Sequence, residues 1–208
     1  MIHGPLYISL DHRSDRRALF EKECSMLDIV PKRVTAIYMP DNGALGCLMS
    51  HIEALNSAPF NMPVWICEDD CKFLVNREEL DSVIGEFLNS DADILCLAYA
   101  SRNDYEFSNL LKRSMDLQTA SCYIVKPTFR KKLLDLWNTV LKSLQAKIEH
   151  PRKLEYSKLP VVKGNFETTD QSWKLLQQSH VFVIPKTRCA LQRESFSDIE
   201  NKNARYNV

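Results

Sequence analysis

The chain lacks most of the features that would place it outside the ordinary globular class. Its 208 residues contain no low-complexity tract and no internal repeat, which excludes solenoids and repeat arrays. Neither charge is in excess: 27 basic side chains face 27 acidic ones, for a formal net charge of zero. Nucleic-acid binders normally carry a strong basic excess, so no nucleic-acid partner is expected. No apolar stretch approaches the roughly 20 residues that a bilayer-spanning helix needs, and no apolar signal region opens the chain. The seven cysteines, at 24, 47, 67, 71, 96, 122 and 189, include no CxxC pair. No histidine stands beside them at zinc-like spacing. Cys67 and Cys71 flank an acidic cluster, but two thiols alone do not make a structural zinc site. Most of the cysteines lie in apolar runs, where a free thiol packs as a small hydrophobe. A reducing compartment is therefore expected, with the protein soluble and cytoplasmic.

What is present fits one domain spanning 1–208, with 45% apolar and 26% charged residues. The tail "ARYNV" ends without a clear stop, as the first domain of a longer protein would. "PLYISL" alternates as a strand and runs into an arginine-rich turn. Ser14 is placed to cap a helix reaching Met26, with Asp15 in its first turn. "RVTAIY" predicts a second strand. From Gly43 onward, Leu45, Leu48, Met49, Ile52 and Leu55 form a helical stripe. "MPVWICEDD" is an apolar strand stopping at three acids. A helix is predicted over 77–89, with Leu80, Val83, Ile84 and Phe87 inward. "DILCLAYA" and "SCYIV" are two more strands, joined by a polar loop carrying Tyr105 and Phe107. The longest helix spans about 128–148, with Leu133, Leu134, Trp137, Leu141 and Leu144 inward. Residues 149–168 predict a long loop; Asp170 opens a short helix, and "VFVIP" is the last strand. Strands alternating with helices imply an α/β fold with a mostly parallel central sheet. Ligands of such sheets bind outside the carboxyl ends of the strands, where the acids stand.

Four constellations carry candidate chemistry. In "WICEDDC", strand alternation sends Glu68 and Asp70 one way and Asp69 the other. Crowded carboxylates call for a cation, and hard oxygen ligands suit magnesium, manganese or calcium. Such an ion would offset the charge growing on a departing diphosphate. The plain alternative is a solvated acidic turn that caps the next segment. In "SLDHRSDRR", Arg13, Arg16 and Arg17 offer guanidinium forks to phosphate, or simply a solvated helix face; Arg16 is the preferred candidate. In "GALGCLMSH", Gly43 and Gly46 permit close backbone approach. His51, at the edge of the stripe, either faces a cleft or serves as a structural hydrogen-bond partner. In "NFETTDQSW", Asp170 is either a helix cap or a base that takes a proton from an acceptor hydroxyl. Tyr99, Tyr105, Phe107 and Tyr156 can stack on sugar or base faces, with packing the simpler role for Tyr99.

Together, "YISLDHRSDRR", "GALGCLMSHIEAL", "VWICEDDCKF", "TASCYIVKPTFRKKLL" and "QRESFSDIENK" resemble glycosyltransferase family 25, the lipooligosaccharide galactosyltransferase type. They are especially similar to its relatives in large DNA viruses such as chlorella viruses, which would place the protein in host cytoplasm. The resemblance implies a GT-A fold, with a Rossmann-like sheet flanked by helices. It also implies a UDP-sugar donor, a carbohydrate or glycan acceptor, and Mn2+ or Mg2+. Carried onto this sequence, Asp70 would be the principal metal ligand, with Glu68 second or on the ribose. Leu10, Asp11 and Arg16 would border the nucleotide, Gly46 to His51 the diphosphate and donor sugar, and Asp69 the same donor site. Thr119 and Ala120 would line the donor pocket, and Asp170 would be the base. The usual aspartate-x-aspartate metal motif of that fold begins here with Glu68, and His180 precedes a core strand rather than serving as a ligand. The remaining alternatives are a sugar- or nucleotide-binding module without turnover, and a metal-dependent phosphohydrolase using the same acids. The latter would want a second acidic cluster, and none is evident.

Overall fold

Strands that are apolar on both faces need cover on both sides, and the central strands of this chain have that character. The structure, a computed structural model, describes residues 2–149, 168–197 and 202–204. In chain order the first half gives β1 (His3–Ser9), α1 (Ser14–Met26), β2 (Lys32–Thr35), α2 (Gly43–Asn56), β3 (Val64–Glu68), β4 (Cys71–Phe73) and α3 (Arg77–Asn89). Then come β5 (Ile94–Cys96), β6 (Ala100–Ser101), β7 (Asp104–Glu106), β8 (Leu111–Ser114), β9 (Leu117–Gln118) and β10 (Cys122–Val125). The chain continues through α4 (Pro127–Glu149), α5 (Thr169–Ser172), α6 (Lys174–Gln177), β11 (Phe182–Pro185) and β12 (Ala190–Gln192).

Eight strands form one sheet in the order β2-β1-β3-β10-β5-β11-β8-β7. β1 is parallel to β2 and β3, and β5 to β11. β10 runs antiparallel between β3 and β5, and β8 antiparallel between β11 and β7. Those two are the reversed strands, so the sheet is mostly parallel in direction and the expected α/β class holds. On one face, Leu6, Ile8, Val64, Ile66, Tyr123 and Val125 pack against Leu48, Ile52 and Leu55 of α2 and Phe129, Leu133 and Trp137 of α4. The alternate residues Tyr7, Trp65, Cys67, Cys122 and Ile124 pack against Phe20 and Cys24 of α1 and Leu80, Ile84 and Phe87 of α3. Each large side chain buried this way contributes about 1.5–3 kcal/mol.

Four local expectations change: β11, over "VFVIP", is not the last strand, because β12 follows it and pairs with β4. Ser14 is the first helical residue rather than the cap; Arg13 holds the N-cap position and makes no side-chain cap bond. The stretch expected as a polar loop around Tyr105 and Phe107 holds strands instead: β7 pairs with β8 at the far edge of the sheet, and β6 pairs with β9 in a separate two-stranded ladder. All of β7 is exposed, so it shows no apolar alternation by which a strand is recognised. The loop expected over 149–168, with Tyr156, lies almost wholly outside the described residues. The helices are otherwise where expected. Asn42 caps α2 by accepting from the Leu45 N–H at 3.0 Å, and Asn76 with Glu79 forms a capping box on α3.

Candidate functional site

Because β10 is reversed, its amino end meets the carboxyl ends of β1, β3 and β5 along one edge of the sheet. A cleft opens there, on the edge where ligands of such sheets bind. Ile8, Ser9 and Leu10 floor it from the end of β1, and residues 36–39 wall it after β2. Gly43, Cys47 and Ser50 of α2 face them, with Arg16, the three acids 68–70 and Gln192 completing the lining.

Alternation holds only to Glu68, which continues the Val64 and Ile66 face towards α2. The chain then turns, so Asp69 does not point away from its neighbours: all three acids line the same cleft. Arg16, expected to hold phosphate, lies against carboxylates instead. Its Nη1 is 3.0 Å from Asp69 Oδ1 and its Nη2 is 2.7 Å from Asp70 Oδ2. Asp69 also accepts from the Ser9 hydroxyl at 2.6 Å, and Asp70 from Gln192 Nε2 at 3.2 Å. Asp70 Oδ1 is buried and has no hydrogen-bond partner among the described residues. Burial raises the Asp69 carboxyl, with Arg16 opposing. Burial, then the charge of Glu68, pushes Asp70 up to about 7 against the pull of Arg16. Glu68 differs: burial opposes its ionisation, but the hydrogen bond and charge of His51, with Arg16, hold it below the ordinary carboxylate value.

His51 does not face the cleft. It is fully buried and reaches the site through Glu68, with Nε2 at 3.2 Å from Oε1, while Nδ1 lies 3.0 Å from the Tyr123 hydroxyl. Tyr123, Trp137 and His51 form one ring cluster. Cys47, one helical turn before His51, places Sγ 3.7 Å from the same Glu68 oxygen and 3.6 Å from Thr169 Oγ1. Burial, then Glu68, pushes that thiol well above its ordinary value. Gly46 faces away from the cleft floor, against the Ile37 carbonyl, where an added Cβ would stand 2.5 Å from the oxygen.

The remaining candidates stand at the margins. Asp11 pairs with Arg33 of β2 at 2.5 Å, and Arg17 donates to the Leu10 and Asp11 carbonyls at 2.6 and 3.0 Å, so both brace the turn after β1. Arg13 pairs with Asp15 at 3.1 Å. Asp170 is not the cap of α5, a position held by Thr168. It accepts from the Thr119 N–H at 3.0 Å and from the Thr168 hydroxyl at 2.9 Å. That bond holds Thr119 at a φ of 80°, a conformation β-branched residues rarely adopt. Thr119, Ala120 and Asp170 are brought together but do not line the cleft. Tyr99 packs, donating its hydroxyl to the Pro185 carbonyl at 2.9 Å beneath Arg188. Phe107 packs on the α3-side core, and Tyr105 is exposed. His180 lies 3.4 Å from Asp93, away from the acids.

Sequence reasoning passed over Ser9, Cys47 and Gln192. Gln192 reaches Asp70 across 122 residues, and nothing local marks it. Cys47 does carry a signal, its four-residue spacing to His51 on one helix face, which corrects the expectation that no histidine stands at zinc-like spacing beside a cysteine.

No protein-family model matches the chain, and no curated protein matches its sequence. Solved structures do resemble it in shape. A protein of STIV is 11% identical, with a TM-score of 0.45 over 88% of this chain and 81% of that one. A glycosyltransferase involved in glycosylation of the major capsid of PBCV-1 is 10% identical, with a TM-score of 0.45 over 94% of each chain. An apo UDP-glucose pyrophosphorylase is 10% identical, with a TM-score of 0.43 over 76% of this chain and 56% of its own. At these values the likeness is one of chain shape and does not extend to activity.

Proposed function

We propose that the chain is a transferase using a sugar nucleotide, and specifically a GT-A-type glycosyltransferase moving a hexose from a UDP-sugar to a carbohydrate hydroxyl. The observation that carries this is Asp70, a buried acid with one oxygen unpartnered among the described residues, crowded by Glu68 and Asp69 at a cleft where Arg16 is a neighbouring cation. Such a set of hard oxygen donors fits Mn2+ or Mg2+. Glu68 and Asp70 would hold the ion, while Asp69 is committed to Ser9 and Arg16. A divalent ion bound there supplies positive charge against a leaving diphosphate.

The other groups bind, orient and move protons. Leu10 and Asp11 would border the nucleotide, and Tyr38, 60% exposed on the cleft wall, offers a ring face to the base. Arg16 would exchange carboxylate for donor phosphate. Gly46 to His51 would back the diphosphate and sugar, with His51 orienting Glu68. Thr119 and Ala120 precede Ser121, whose carbonyl accepts from the Glu68 N–H at 2.8 Å, and would flank the sugar. Asp170, beside the cleft rather than in its lining, would take the acceptor proton on a lone pair that Thr119 and Thr168 leave free. Titrating UDP calorimetrically with and without Mn2+ tests the reading. Manganese-dependent binding in the wild type, lost in Asp70→Ala, is expected; equal UDP affinity in both proteins would sink the assignment of Asp70.

A further inference from the structure

Cys47 and His51 lie on one face of α2, one turn apart, and both converge on a single carboxylate oxygen. Sγ of Cys47 is 3.7 Å and Nε2 of His51 is 3.2 Å from Glu68 Oε1, and the three donor atoms all lie within 4.8 Å of one another. A tetrahedral zinc ion has Zn–S near 2.3 Å and Zn–N and Zn–O near 2.0–2.2 Å. Those lengths put sulfur and oxygen about 3.6 Å apart, and nitrogen and oxygen about 3.3 Å apart. Both spacings to Glu68 Oε1 therefore match those of ligands sharing one ion. The second imidazole nitrogen lies 3.0 Å from the Tyr123 hydroxyl, the kind of outer partner that orients a ligating histidine. His51 is fully buried, whereas Cys47 and Glu68 line the cleft. Three protein ligands closed from behind and open in front leave a fourth position for water or a ligand.

We propose that Cys47, His51 and Glu68 form a binding site for a borderline-soft divalent ion of the zinc class. A sulfur, nitrogen and oxygen set favours zinc or cobalt over magnesium or manganese, so this site differs in chemistry from the hard-oxygen pair Glu68 and Asp70. The two share Glu68 and are mutually exclusive. No nucleotide is needed for the ion to bind, so the site stands or falls independently of the transferase reading. Ion entry displaces the Cys47 proton, because a coordinating thiol binds as thiolate. The same three groups also contact one another directly, so the decisive readout is a metal–sulfur bond. A second cluster, Cys67, Cys71 and Cys122, is sealed in the core and contains only thiols, and it serves as the internal comparison.

The test titrates the metal-free full chain with Co2+ alone and follows its absorption. Thiolate-to-cobalt charge-transfer bands should grow to about one equivalent and be chased by Zn2+. Cys47→Ser should keep the wild-type circular dichroism, lose those bands and bind Zn2+ more weakly by beyond the roughly 10–100-fold of an outer-partner change. Asp70→Asn should retain the bands. His51 is too buried for its replacement to be decisive, so Cys47, at the cleft, carries the test. Absence of the bands in the wild type overturns the proposal. So does their persistence in Cys47→Ser with loss in Cys67→Ser, which would place the ion in the sealed cluster. Loss of the bands in Asp70→Asn would overturn the separation of the two sites.

Discussion

Asp70 titrates near 3.8 in an ordinary setting and is pushed up to about 7 here, by burial first and by Glu68 second. Between those two values the folded chain holds a proton that the unfolded chain has released. Stability from this group is thus fully present below the lower value and is lost as pH rises towards the upper one. In chelator, the melting temperature of the wild type relative to Asp70→Asn should fall across that window; a constant difference would refute the account. Asp170 separates two roles by substitution. Asparagine keeps an oxygen for the Thr119 N–H, so Asp170→Asn should fold normally, bind donor and lose transfer. Asp170→Ala should also lose stability, by about 1–3 kcal/mol for an orphaned buried donor. Unchanged turnover in Asp170→Asn would leave Asp170 as an anchor for Thr119. The acids and Arg16 were legible individually, as residue types beside strand ends. Their pairing was not: Arg16 and Asp70 lie 54 positions apart, and a guanidinium suits phosphate and carboxylate equally well.

Helices were legible wherever one face is apolar, as in α2, α3 and α4, because a 3.6-residue period survives in a single sequence. Central strands were legible as apolar runs bounded by polar residues. The edge strand β7 was not, since an exposed edge strand is selected for polarity rather than for pattern. Gly46 is where element packing bears directly on the site. Its backbone lies against the Ile37 carbonyl, which fixes the distance between α2 and the cleft wall after β2. A methyl there meets a backbone oxygen that has nowhere easy to go. Gly46→Ala should cost about 1–3 kcal/mol, read as a lower urea midpoint at unchanged slope. An unaltered midpoint would show that the wall yields.

The whole molecule converges on one edge: β1, β3, β10, the α1 arginine and Gln192 all arrive there from distant parts of the chain. A ligand bridging them should stabilise the fold as a unit. UDP with Mn2+ at a hundredfold its dissociation constant should raise unfolding stability by about 2.7 kcal/mol, visible as a thermal shift that chelator removes. An equal shift from UDP in chelator would show that the nucleotide binds without the ion.

Arg16 gives this convergence a direction. A guanidinium resting on Asp69 and Asp70 acts as a resident counter-charge, so a bare cation arriving alone must evict it into no better place. A cation arriving on a diphosphate brings the anion that Arg16 can move to. Ion and nucleotide should then bind with reciprocal coupling, each tightening the other by the same factor. Neutralising Arg16 should weaken that coupling more than it weakens the affinity of either ligand measured alone.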